Sequence, residues 1–212
     1  MAPYFALNRR QFAVAGAAAA CWPWARGNGV PEEGFEYEVL ATPVATTSPG
    51  RIEVLEFFRY GCPFCDRLEP MLQAWKARLP ADVAFRYVPV SFHSTTHQQL
   101  FLTLQYLGEE SRLRSKVYDA IHRERQHLEI LMEISAWAQG HGIDPARFEA
   151  AWHAPEVQAG LVHANALVKG YGVTSVPQFG VQGRWRTSPA MVGGSNARAL
   201  QVVEHLVTLA RG

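Results

Sequence analysis

Glu56-Phe57-Phe58-Arg59-Tyr60-Gly61-Cys62-Pro63-Phe64-Cys65-Asp66-Arg67-Leu68-Glu69-Pro70 decides the fold. Ile52 to Phe58 is apolar and β-prone, and reads as a buried strand. Gly61 breaks it, and Pro63 suits the first turn of a helix, where its missing N–H costs nothing. A Cys-x-x-Cys pair therefore straddles a strand-to-helix junction. Cys62 falls at the helix N-terminus, where unpaired N–H groups and the macrodipole favour negative charge. That lowers a thiol pKa, and the thiolate is the species that attacks disulfides. Cys65 lies one turn along the same face, close enough to close a ring with Cys62 and expel whatever Cys62 has captured. A structural zinc site would need a second pair of ligands. His93 and His97 have a plausible spacing but lie beyond an intervening strand, so no metal is expected.

The 212 residues are 48% hydrophobic and 18% charged, enough for one domain, or one domain carrying an insertion. A formal net charge of +1 argues against electrostatically driven nucleic-acid binding. Of three cysteines, Cys21 falls in an apparent targeting segment, which leaves the Cys62–Cys65 pair for chemistry.

Met1 to Ala20 reads as an export signal, with Arg9 and Arg10 before a short apolar run from Phe12 to Ala20. Asn8-Arg9-Arg10-Gln11-Phe12 fits either a twin-arginine or an ordinary secretory signal. Ala19-Ala20-Cys21 is a poor match to a lipoprotein box because Ala18 stands where Leu is usual. Trp22 to Glu33 reads as a linker, and 1–34 together as signal and linker.

Phe35 to Leu40 alternates as a half-buried strand. The motif strand and a helix over Cys62–Leu79 follow, with Leu68, Met71, Leu72 and Trp75 as the inner face. Val83 to Val90 is a third strand. From Thr95 to Lys169 the periodicity is helical throughout. Gln178–Gln182 and Trp185–Thr187 form a hairpin across Gly183, and Ser195 caps a last helix. The pattern is α/β, a small sheet (35–92 and 170–212) interrupted by a helical domain (93–169).

The chain resembles thioredoxin-fold proteins of the DsbA type, the periplasmic thiol oxidases, from Phe35 to the C-terminus. Four features carry the resemblance. They are Cys62-Pro63-Phe64-Cys65, the Val176-Pro177 pair in Thr174-Ser175-Val176-Pro177-Gln178-Phe179, the acids Glu56 and Glu69, and the helical insertion. The resemblance implies a redox-active Cys62–Cys65 disulfide, supported by Pro63, Phe64, Val176, a cis Pro177, Glu56 and Glu69. It implies an acidic Cys62 and an oxidising disulfide. The family has His where this chain has Phe64, which donates no hydrogen bond; Cys-Pro-Phe-Cys also occurs in DsbL-type relatives. Glu56, among Leu55, Phe57 and Phe58, is expected to be buried with a raised pKa and to exchange a proton with Cys65. Glu69 reads equally as a solvated helix charge. Tyr60, Phe64, Phe179 and Trp185 read as core aromatics or as the rim of an apolar groove.

The expected function is an exported, monomeric thiol:disulfide oxidoreductase without a cofactor. It would oxidise cysteine pairs in unfolded exported proteins in the periplasm. By resemblance, a quinone-linked DsbB-type membrane protein would reoxidise it. A disulfide isomerase or reductase of the same fold is the nearer rival, although the stretch before Phe35 is short for the dimerisation domain of DsbC-type isomerases. A non-redox periplasmic binding or chaperone-like module is the other.

Overall fold

A computed structural model describes residues 29–212. The readings of Arg9, Arg10 and Cys21 lie outside them. The central strand β2 (Ile52–Phe58) is buried at all seven positions, as a strand covered by helices on both faces must be. It pairs in parallel with β3 (Val83–Pro89) and antiparallel with β4 (Gln178–Val181). β5 (Trp185–Thr187) and β1 (Glu38–Val39) extend the sheet on the β4 side, in the order β1-β5-β4-β2-β3.

Side chains alternate between the two faces of a strand. Ile52 and Val54 accordingly pack with helices α1 (Pro63–Lys76) and α7 (Asn196–Ala210), while Leu55 and Phe57 pack with α6 (Pro155–Gly170). Glu56 shares the face of Val54 and Phe58, and in register it stands between Tyr87 on β3 and Phe179 on β4. Between β3 and β4 run α2 (Thr96–Tyr106), α3 (Glu110–His122), α4 (Leu131–Gly140), α5 (Pro145–Trp152) and α6. Their shared core takes in Phe58, Tyr60 and Cys65 from the redox motif, so the helical block closes over one side of it.

Local chemistry sets several boundaries. The first strand is shorter than its alternation predicts, and Phe35 is 71% exposed. Gly34 takes a φ of 82°, and the bonds Gly34 N–H to Tyr37 O and Glu36 N–H to Glu32 O close a turn there instead. α1 ends at Lys76 rather than Leu79. Its last turn tightens to i→i+3 bonds from Arg78 and Leu79, because Pro80 disfavours helix in the residue before it. The β4–β5 turn has φ of 51° at Gln182 and 64° at Gly183, the primed geometry that matches strand twist. A Cβ on Gly183 would lie 1.8 Å from the Val44 carbonyl oxygen, so only glycine fits. Ser195 caps α7 by accepting from the Arg198 N–H at 3.1 Å.

Candidate active site

β2 delivers the chain to the Arg59–Gly61 turn, and α1 starts at Pro63 with Cys62 as its N-cap. The Cys62 N–H donates to the Arg59 carbonyl at 3.0 Å, which fixes the turn. On the far side, His122 Nε2 lies 2.7 Å from the Tyr60 carbonyl and Arg123 reaches Asp66 at 3.0 Å. The C-terminal end of α3 therefore braces both ends of the motif.

The two cysteines are free thiols in different surroundings. Cys62 is half-buried and its Sγ lies 3.5 Å from the Val176 carbonyl, to which the thiol donates. The neutral thiol makes no helix-capping bond. Ionised, it is held by the Cys65 thiol, against the opposing effect of burial, with help from the backbone N–H groups of Cys65 and Phe64 and the charge of Arg59. These bring its pKa down from 9.0 to about 6. Cys65 is fully buried, and burial, with Cys62 and Glu56 adding to it, pushes its thiol well above the ordinary range. One sulfur is thus a ready thiolate and the other a reluctant one.

Val176–Pro177 is a cis peptide in the loop that presents the Val176 carbonyl to Cys62. Phe64 is 60% exposed beside the thiol, with the Arg67 guanidinium 4.4 Å above its ring. Tyr60, Phe179 and Trp185 are buried core aromatics, so of the four aromatics Phe64 alone offers an open apolar surface.

Glu56 is buried, and burial raises its pKa to about 8 although the neighbouring Arg114 pulls the other way. Glu69 is not the solvated helix charge its sequence also allowed: it is buried at 6% exposure. Its Oε1 takes bonds from Gln73 Nε2 at 2.5 Å and Tyr87 OH at 3.3 Å, and lies 2.8 Å from Arg114 Nε. α1 turns this carboxylate inward beneath the motif because Glu69 follows Leu68 and Cys65 on the buried stripe.

Arg114 is the residue that sequence reasoning missed. Its guanidinium lies 3.5 Å from Glu56, 2.8 Å from Glu69 and 3.2 Å from Glu110. It is sandwiched 3.5 Å from the Tyr87 ring centre and 4.1 Å from that of Phe58. A signal was present. Arg114 stands three and four residues before Val117 and Tyr118, the buried stripe of α3, so helical spacing alone puts a charge on an apolar face. Among the described residues, no group of three or more His, Cys, Asp or Glu side chains is placed to hold a metal.

A mixed five-stranded sheet, a Cys-x-x-Cys pair at a helix N-terminus and a helical block between β3 and β4 define a dithiol–disulfide oxidoreductase of thioredoxin fold with an inserted helical domain. The chain belongs to the DsbA family. The model of the DSBA-like thioredoxin domain matches residues 91–203. The thiol:disulfide interchange protein DsbA of Bordetella pertussis is 39% identical over 178 residues, covering 83% of this chain and 85% of that protein. Its counterpart in Pseudomonas aeruginosa is 35% identical over 176 residues, covering 82% and 83%. The crystal structure of Pseudomonas aeruginosa DsbA superposes with a TM-score of 0.82 at 34% identity, over 85% of this chain and 95% of that one. Reduced DsbA1 from Neisseria meningitidis gives 0.74 at 25% identity, over 87% and 96%.

Proposed function

We propose that this protein is a periplasmic disulfide donor, exported under the direction of residues 1–34, that oxidises cysteine pairs in newly exported, incompletely folded proteins. A substrate thiolate attacks Cys62 Sγ, forming a mixed disulfide. The Cys62–Cys65 bond breaks, its electron pair passes to Cys65, and Glu56 supplies the proton that the Cys65 thiolate takes up. A second substrate thiolate then attacks the substrate sulfur of the mixed disulfide, and Cys62 leaves as a thiolate. The substrate has lost two electrons and the enzyme has gained them. A quinone-linked DsbB-type membrane protein would remove those electrons, with Glu56 taking back the Cys65 proton.

The observation that carries this reading is the split between the two thiols. A Cys62 thiol brought to about 6 makes a stable leaving group, which favours donation of the disulfide over its retention. The carbonyl of Val176, at 3.5 Å, marks where an extended substrate backbone would lie against the sulfur, with Pro63, Phe64 and Pro177 shaping the approach. The test is oxidation of a reduced two-cysteine peptide. Wild type should form the peptide disulfide with one equivalent of oxidised protein, and Cys62→Ala should form none. Cys65→Ser, mixed with the peptide in its disulfide form, should instead trap a mixed disulfide as Cys62 displaces one peptide thiolate; absence of that Cys62 adduct would overturn the assignment.

A further inference from the structure

Beneath the redox motif, three elements meet in a buried group of charges. β2 contributes Glu56, α1 contributes Glu69 and the more exposed Lys76, and α3 contributes Glu110 and Arg114. Tyr87 of β3, Tyr60 and Tyr118 close the group, together with the two cysteines. Three carboxylates face two cations, so a single proton held among the carboxylates brings the group to neutrality. Two carboxylate oxygens, Glu56 Oε1 and Glu69 Oε2, are buried without a hydrogen-bond partner, which makes it costly to keep every carboxylate of the group charged. From Glu69 the network continues through Tyr87 OH to Gln73 at 3.0 Å and Lys76 Nζ at 3.0 Å, towards the surface of α1.

Arg114 is the shared member. Each of its three nitrogens faces a different carboxylate, two of them belonging to the sheet-and-α1 unit and one to its own helix. Packed on aromatic faces with its charge held, it remains a fixed cation whether or not Glu56 holds its proton.

We propose that Arg114, on the inserted helix α3, is a positioning residue for the proton step at Cys65, sharing its charge among the carboxylates Glu56, Glu69 and Glu110 so that the proton stored on Glu56 is held loosely enough to pass to Cys65. The inference rests on Glu56 being the proton partner of Cys65. When the Cys62–Cys65 bond breaks, Glu56 gives its proton to the Cys65 thiolate and becomes a carboxylate that Arg114 compensates. On reoxidation the same proton returns from Cys65 to Glu56. The inserted helices thereby set the charge beneath the redox pair, beyond shaping the surface around it.

Infrared titration of the protonated carboxyl stretch in the full reduced protein reads this without relying on activity, the Glu56 band being the one lost in Glu56→Gln. Arg114→Met should move the midpoint of that band upward by about 1–3 pH units, the span of one close opposite charge. Glu110→Gln, which frees Arg114 for Glu56, should move it downward, and Arg114→Lys should lie between wild type and Arg114→Met. The alkaline limb of the rate of oxidation by glutathione disulfide should shift in parallel, and Arg114→Met should add nothing in a Glu56→Gln background. If Glu56→Gln itself leaves the pH–rate profile unchanged, the proton role of Glu56 fails. If Glu56→Gln removes the alkaline limb while Arg114→Lys and Glu110→Gln leave the midpoint in place, the role of Arg114 fails. Circular dichroism checks folding, and if Arg114→Met does not fold the latter two variants decide the matter alone.

Discussion

Reducing the disulfide exposes a titration that the folded protein reports as stability. The Cys62 thiol falls from 9.0 to about 6 in the folded chain. Between those values the unfolded chain holds a proton that the folded chain has released, so folding is favoured increasingly as pH rises. This contribution is complete above the unfolded value and is lost as pH falls through about 6. At about 1.4 kcal/mol per pH unit the full gap corresponds to roughly 4 kcal/mol. Solvent reaches one side of the half-buried sulfur and screens it, which reduces the expectation to about 2 kcal/mol. Glu56 works in the opposite direction. Its raised value stabilises the fold below about 4.5 and loses that contribution as pH rises through about 8. The assay is therefore a difference: urea unfolding of reduced wild type and reduced Cys62→Ser, each at about pH 9 and about pH 5.5. The advantage of wild type should shrink by about 2 kcal/mol on going to the lower pH. Parallel pH dependences in the two proteins would refute a folded-state thiolate at Cys62.

Phe64→His places a hydrogen-bond donor beside the sulfur, where Phe64 has none to offer. A charge-assisted bond of about 1.5 kcal/mol, the low end for an exposed position, corresponds to a potential about 30 mV more oxidising, read by equilibration with glutathione. An unchanged potential would mean that another neighbour limits this disulfide. Gly180→Ala puts a Cβ 2.2 Å from the Tyr171 ring, whose position is tied by its own bond to Gly183 N–H at 2.9 Å. It should cost at least about 1–3 kcal/mol, seen as a lower urea midpoint, and an unaltered midpoint would show that the ring moves aside freely.

Much of the fold was legible because each local rule pointed the same way. Ile52 to Phe58 is short, β-prone and apolar apart from Glu53 and Glu56, as an interior strand requires, and Gly61 and Pro63 mark where it must stop and a helix begin. The spacing of Cys62 and Cys65 follows from that junction alone, as does the contrast between a thiol at a helix end and one a turn inside. Where local signals competed, the reading went astray. The alternation from Phe35 was overruled by a turn at Gly34, and the last turn of α1 by Pro80.

The charge state beneath the motif was a different kind of problem. Glu56, Glu69 and Arg114 are separated by up to 58 residues in sequence, and their meeting depends on α3 packing against α1 so that Arg114 reaches Glu56 of β2. Periodicity assigns a residue to a face, but it carries no information about which face lies opposite. A lone Glu69 on a helix reads as solvated until a buried arginine from another helix is placed 2.8 Å away. The amino-acid sequence by itself determined the Cys-x-x-Cys pair, the helix that carries it and the class of chemistry, because backbone geometry and residue type suffice for those. Only the tertiary structure decided which charges gather beneath that helix, because Coulomb interactions depend on distances that sequence spacing does not contain.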